Sequence, residues 1–385
     1  MTRSLAASGD SPVIIAALRS PIGTSGRSLA EVDAPNLVAP VLSTLVKSAD
    51  LAPDAVQDVV LGNCMGPGGN VARVAGLMAG LPSSVPGMTV DRQCGSGLAA
   101  IAVAASMVRA EPGTVLAGGV ESASTAPWRY WPPVGEAEPV RYERAPFAPD
   151  WAGDPEMGLA ADLLAEERSV SRARQDEYAA RSHALAVAIQ ASGGFDEELV
   201  PVAGVATDDR PRAGLTVWRL ARLRPTFRPD GTVTAGNSCG INDGAAAVAV
   251  VDQHTHRRLG VPGLRILATA TAGVDPNRPG FGIVPATQAA LQRAGLEPDD
   301  IDVLELNEAF AGQVLACCDA LSLSSDRVCV EGGALALGHP WGASGAVLVV
   351  RLFTQLVRKD AGRYGLAAIA VGGGQGVAMV VERCP

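Results

Sequence analysis

The sequence predicts a layered α/β fold made of two similar halves, on three observations. First, the chain repeats itself: Leu51-Ala52-Pro53-Asp54-Ala55-Val56 is echoed by Leu296-Glu297-Pro298-Asp299-Asp300-Ile301, 245 residues later. Each copy leads into a short apolar strand, Val59-Val60-Leu61 and Val303-Leu304-Glu305-Leu306. Second, later landmarks recur in the same order. Gly97 opens a helix that leads to a strand ending Leu116-Ala117-Gly118-Gly119, and Gly345 opens one that leads to Ala368-Ile369-Ala370-Val371-Gly372-Gly373. The closing strands Gly244-Ala245-Ala246-Ala247-Val248 and Gly376-Val377-Ala378-Met379-Val380 match as well. Third, the strands are continuous Val/Ile/Ala runs that alternate with helices, which implies sheets buried on both faces. Two such halves side by side bring their catalytic loops together between them.

Spacing locates an insertion. Gly118 to Gly244 spans 126 residues where Gly372 to Gly376 spans 4, so the first half carries 122 extra residues. The expected division is an N-terminal half, 1–262, containing an inserted loop domain at about 122–240, and a C-terminal half, 263–385. The insert holds Trp128-Arg129-Tyr130-Trp131-Pro132-Pro133, a helical stretch from Ala160 to Ala191, and an Arg-rich segment around 210–228.

A chain of 385 residues, 48% of them hydrophobic, is long enough for two cores. With Gly 44, Pro 27 and aromatics at 4%, it is turn-rich and packed with Ala, Val and Leu. A net charge of −9 leaves no basic excess to neutralise phosphates, which argues against a nucleic-acid partner. The seven cysteines contain no CxxC pair. Their odd count, with no apolar run in Met1 to Asp10, points to reduced thiols in a cytoplasmic protein. No apolar run reaches membrane-spanning length, so no membrane partner is expected.

Four runs carry the chemistry. Cys94-Gly95-Ser96-Gly97 places a thiol at the start of an Ala-rich helix, where the macrodipole and unpaired amides favour thiolate. Gly338 to Gly345 carries His339 on a turn of small residues, and Asn307-Glu308-Ala309-Phe310 supplies a side-chain amide where a strand gives way to a helix. Asn307 and Glu308 also read as an N-cap pair. Gly372-Gly373-Gly374-Gln375-Gly376 completes the set, and nucleophile, base and oxyanion donors together describe acyl transfer. The other histidines, His183, His254 and His256, read as surface residues, with no third ligand evident for a metal.

These motifs resemble the thiolase family, and the match runs from about Val13 to Arg383. It covers Cys94-Gly95-Ser96-Gly97-Leu98, Asn307 to Phe310, Gly332 to Gly345 and Gly372 to Gly376, with Gly118 to Ser122 and Val233 to Asn237 as further signatures. The resemblance implies two similar βαβαβαββ halves forming a five-layered α/β/α/β/α core, assembled as a homodimer or homotetramer. It implies acyl-CoA substrates, no permanently bound cofactor and no metal, with a β-ketoacyl thioester formed or cleaved by Claisen condensation or thiolysis. Cys94 would take the acyl group and His339 would activate it. Asn307 would hold a water in one oxyanion hole, and the amides of Cys94 and Gly372 would form the other. Arg212 and Phe227 match the nucleotide-binding loop of the family. Met157, Ala235, Ala309 and Phe310 match its pantetheine tunnel, where Cys239 replaces a serine.

One position departs from the pattern. Thiolases carry a second, acid/base cysteine two residues before the GGG run, where this chain has Ala370. A methyl group moves no proton, and general acid–base catalysis is worth about 10²–10⁴-fold. Three readings follow: another group such as Cys239 or Glu156 substitutes; the enzyme condenses with decarboxylation, or transfers acyl groups without deprotonating carbon; or the chain binds acyl-CoA without turnover.

Overall fold

The computed structural model describes residues 11–135 and 137–385; the Met1–Asp10 stretch lies outside the described residues. Strand β1 (Val13–Arg19) opens the chain, followed by the two-residue β2 (Gly23–Thr24) and helix α1 (Ala34–Ser48). The side chain of Asp33 accepts the Asn36 N–H to cap α1, and Pro35 fits its first turn. Then come β3 (Val56–Gly62), α2 (Val71–Met78), β4 (Gly87–Val90), α3 (Ser96–Ala110) and β5 (Thr114–Ser122). The insert contributes a hairpin, β6 (Arg129–Trp131) with β7 (Val140–Tyr142), and helices α4 (Met157–Glu167), α5 (Arg172–Ala191) and α6 (Val217–Leu220). The helical stretch expected from Ala160 to Ala191 is thus two helices, broken where Ser169 turns left-handed at φ 55°. The chain returns through β8 (Asn242–Val251) and α7 (Gln253–Leu259). The second half runs β9 (Gly263–Gly273), α8 (Ile283–Ala294), β10 (Val303–Leu306), α9 (Ala311–Ala320), α10 (Ala334–Leu337), α11 (Trp341–Phe353), β11 (Tyr364–Val371) and β12 (Gln375–Cys384).

The sequence repeat is a structural repeat. Both Pro-Asp echoes form one 3₁₀ turn, Pro53–Ala55 and Pro298–Asp300, ahead of β3 and β10. β3 then pairs parallel with β5, which pairs antiparallel with β8; β10 pairs parallel with β11, which pairs antiparallel with β12. The strand order β10-β11-β12-β9-β1-β8-β5-β3-β4 joins the halves, with only Val13 and Ile14 of β1 pairing across to β9.

Side-chain alternation along the strands produces five layers. On β8, Ala246, Val248 and Val250 face one cluster, and Ala245, Ala247 and Ala249 face another with Leu37, Val41 and Leu45 of α1. On β12, Val377 and Met379 join the same inner cluster as β8, whereas Ala378 and Val380 pack with Ile283 of α8 and Val314 of α9. The inner cluster contains Leu98, Ile101 and Ala104 of α3 and Ala346, Val349 and Val350 of α11. Two helices are therefore sandwiched between two half-sheets, each with its own outer helices. Both faces of each half-sheet are buried, as the unalternated strand sequences require.

Helices α3 and α11 cross at glycine. A Cβ on Gly97 would lie 2.8 Å from the Gly342 carbonyl oxygen, and one on Gly345 would lie 2.5 Å from the Leu98 nitrogen. Gly345 sits inside α11, which begins four residues earlier than expected, at Trp341.

The inner region also buries a carboxyl that forms no ion pair among the described residues, the nearby Arg351 being paired with Glu198 and Glu331. Glu305 on β10 accepts from Gln355 Nε2 at 2.6 Å and lies against the Cys329 thiol; burial pushes it up to about 7. A raised carboxyl favours the folded state most at low pH, and that contribution is lost as pH rises from the ordinary value through about 7. Glu305→Gln is accordingly expected to raise stability by on the order of 2 kcal/mol at pH 8. Urea unfolding at pH 8 and pH 5 checks this, with the gain disappearing at pH 5.

Candidate active site

Cys94 stands on a tight turn between β4 and α3. Gln93 occupies the left-handed region at φ 43°, unusual for a residue with a side chain. Ser96 holds the turn closed: its hydroxyl donates to the Gln93 carbonyl at 2.6 Å and accepts the Arg92 N–H at 2.8 Å. The sulfur thus sits ahead of the helix start, where the sequence places it. The expected thiolate is not the resting form. Burial, reinforced by the neighbouring Cys239, pushes the thiol to about 12, although the Gly372 and Cys94 N–H groups point at the sulfur and pull the other way. Desolvation outweighs the helix N-terminus here.

His339 comes from the other half. Its backbone N–H donates to Asn242 Oδ1 at 2.9 Å, and Asn242 Nδ2 donates to the Gly23 carbonyl. Gly338 takes φ 117° against Asn242, a conformation and a closeness that exclude a side chain. The ring's Nδ1 is 2.6 Å from Ser344 Oγ and its Nε2 is 3.5 Å from Asn307 Nδ2. Among the described residues no carboxylate pairs with the ring, and burial lowers it to about 4. His339 is therefore a neutral imidazole, able to accept a proton.

Asn307 extends the β10–β11 ladder by one bond, from its N–H to the Ala368 carbonyl at 2.9 Å. The N-cap reading of Asn307 and Glu308 does not hold, because Phe310 is the N-cap of α9 and no side chain caps it. Glu308 is instead a buried clamp that accepts from the Tyr178 and Ser182 hydroxyls and the Leu335 N–H. Glu121, in the Gly118–Ser122 run, does the same for the loop at 63–65 and for Gly342 at the start of α11.

These elements enclose a cavity of roughly 110 Å³. Cys94, Met157, Cys239, Ala309, Phe310, His339 and Gly372 line it, and so does Ala370. Asn307 lies behind His339. Three expected residues stand outside the lining: Ala235 and Arg212 are exposed, and the Phe227 ring meets Phe310 edge-on with centroids 6.4 Å apart. Glu156 is exposed and also outside. Sequence reading missed Gln313, Trp341 and Gly280 in the wall. Trp341 was within reach, since it occupies the variable position of the His339 motif; Gly280 sits on a turn with no chemical signal.

Two histidines expected at the surface are buried. His183 accepts the Arg212 N–H at 3.2 Å through Nδ1, and His256 Nε2 lies 2.8 Å from the Val261 carbonyl. Helices α5 and α7 each turn one polar face inward, which a polar sequence conceals. Only His254 is exposed. No cluster of three or more His, Cys, Asp or Glu among the described residues is placed to hold a metal.

A neutral thiol and a neutral imidazole on one apolar cavity, with two backbone N–H groups aimed at the sulfur, suit acyl capture. Residues 12–254 match the family described as thiolase, N-terminal domain, and residues 261–383 match thiolase, C-terminal domain. The chain belongs to the thiolase family. Thiolase relatives resemble it over nearly its whole length. An acetyl-CoA acetyltransferase of Pseudomonas aeruginosa is 42% identical, with 96% of this chain and 99% of the relative covered. One of Cupriavidus necator is 41% identical with the same coverage. Among solved thiolases, the crystal structure of the Bacillus anthracis acetyl-CoA acetyltransferase superposes with a TM-score of 0.90 at 38% identity, covering 97% of this chain and 99% of that one.

Proposed function

We propose that this thiolase forms or cleaves β-ketoacyl thioesters of coenzyme A through an acyl-Cys94 intermediate. The observation that carries the reading is the shared cavity of Cys94 and His339, each delivered by a different half. His339 Nε2 takes the thiol proton as the sulfur attacks the thioester carbonyl. The Cys94 and Gly372 amides receive the oxyanion on one side, and the Asn307–His339 pair lies on the other. The pantetheine arm runs past Met157, Ala235, Cys239, Ala309 and Phe310, with the nucleotide at Arg212 and Phe227. No bound cofactor is needed for this chemistry.

Ala370 favours a second reading, acyl transfer or decarboxylative condensation without deprotonation of carbon, because its methyl reaches the cavity. Intact-mass spectrometry with a panel of acyl-CoAs tests the shared first step. Wild type is expected to gain one acyl mass that Cys94→Ala does not; a wild type that binds acyl-CoA and gains none is a binder without turnover.

The same reading divides the chain at 262/263, with the loop domain at about 122–240 inserted in the first half. It also makes the protein a homodimer. β4 is the outer strand of its half-sheet, Met88 on it is exposed, and beside it Val90, Ala99, Ala102, Val103 and Met107 line a shallow surface depression. An unpaired edge next to an apolar face is a template for a second copy. Light scattering is expected to give twice the chain mass, and Met88→Lys to halve it. Seven free thiols suit a reducing, cytoplasmic compartment, and among the described residues no helix is long and apolar enough to cross a membrane.

A further inference from the structure

We infer that the Cys239 thiol is the acid/base group of this active site, in the role that the Ala370 methyl leaves unfilled; the inference rests on the acyl-Cys94 reading above. Of the residues lining the cavity, only Cys94, Cys239 and His339 carry a side-chain group that can give up or take a proton. Capture of the acyl group occupies Cys94 and His339, so Cys239 is the group left over. Glu156 lies outside the lining, which removes the other candidate.

The surroundings of Cys239 suit a thiol that must ionise in turn. It lies just ahead of β8, held by its own N–H to the Ala309 carbonyl at 3.0 Å. The buried guanidinium of Arg210 lies against the next residue: a Cβ on Gly240 would be 2.6 Å from Arg210 Nη1. Arg210 donates to the Leu335 and Ser238 carbonyls at 3.1 and 2.9 Å, and among the described residues it forms no ion pair with a carboxylate. Cys239 and Asp209 are the groups whose negative charge favours the buried Arg210 cation, and a thiolate beside a buried cation offsets part of its desolvation cost. Burial makes the thiol the resting form of Cys239, at about 11, while Arg210 draws it down and favours the thiolate once the proton has been given up.

In thiolysis the steps balance as follows. Cys94 passes its proton to His339 and attacks the β-keto carbon; the bond from that carbon to the α-carbon breaks, and its electron pair stays on the α-carbon as the enolate of acetyl-CoA. Cys239 gives its proton to that carbon and becomes thiolate, and acetyl-CoA departs. Coenzyme A enters and loses its thiol proton to Cys239, and its sulfur attacks acyl-Cys94. The Cys94 sulfur leaves with the bonding pair and recovers its proton from His339.

The test is deuterium wash-in to the methyl group of acetyl-CoA in D₂O, read by mass spectrometry, for wild type, Cys239→Ala and Cys239→Ala/Ala370→Cys. Cys239→Ala is expected to lose exchange by about 100-fold or more, and the double variant, which returns a thiol to the same cavity at position 370, is expected to recover it. Exchange in Cys239→Ala at the wild-type rate overturns the inference, as does a loss that the returned thiol fails to restore. Absence of an acyl mass on wild-type Cys94 would instead overturn the reading on which the inference rests.

Discussion

Replacing His339 with alanine is expected to slow formation of acyl-Cys94 by about 10²–10⁴-fold, the usual worth of a positioned base. Coenzyme A affinity should change little, because the ring is buried against Ser344 and Asn307 rather than spread along the tunnel. The electrostatics sharpen the expectation. With His339 lowered to about 4 and Cys94 raised to about 12, both by burial first, thiol and imidazole are neutral partners at every ordinary pH. Proton transfer then accompanies attack instead of preceding it. Stopped-flow acylation of wild type is expected to be flat from pH 5 to pH 8, falling only as His339 protonates near 4. A sigmoid centred near the ordinary histidine value would show an ion pair formed in advance, and the mechanism would need a solvated ring.

Glu198→Gln is expected to destabilise the fold by roughly 3–5 kcal/mol, the scale for stripping one partner from a buried charge cluster. Glu198 lies in the insert and is buried. It accepts from Arg19 Nε on β1 at 2.7 Å, from Arg351 on α11, and from Thr354 at 2.7 Å. Arg19 also forks onto Asp208 at 2.7 and 2.9 Å, and both guanidiniums lie over the Phe195 ring, 5.3 and 4.7 Å from its centroid for Arg19 and Arg351. The charge on Glu198 therefore fastens three parts of the chain together. Burial alone would raise its carboxyl, but Arg351 and Arg19 prevail and hold it below the ordinary value. A depressed carboxyl stabilises the fold above its ordinary value and loses that contribution as pH falls through the folded one. Chemical denaturation should show a wide gap between wild type and variant at pH 7 that narrows below about pH 4.

Much of the architecture was legible because repetition is visible without coordinates. The Pro53/Pro298 echo and the closing strands proved to be equivalent pieces of equivalent half-sheets, whereas of the two glycines read as helix openers Gly97 lies in the first turn of α3 and Gly345 one turn inside α11. Unbroken apolar strands foretold two buried faces, and motif spacing brought Cys94, His339 and Gly372 to one cavity. What stayed hidden depends on charge and contact across long separations. Nothing around Cys94 in sequence reveals that burial defeats the helix N-terminus. Gln93 carries no mark of its left-handed backbone. His183 sits in a helix of polar composition and is nonetheless buried, and the approach of Arg210 to residues 238–240 becomes visible only when the insert is folded against them.

The glycine crossing of α3 and α11 has a consequence for how such a protein can diversify. The helices that follow Cys94 and His339 touch main chain to main chain at Gly97 and Gly345, with no side chain intervening to adjust their approach. Residues around the tunnel can therefore be exchanged to admit longer, bulkier or more polar acyl chains while the reacting pair keeps its spacing. Substrate range and chemical competence are inherited separately, and new specificities can arise without the reaction being reinvented.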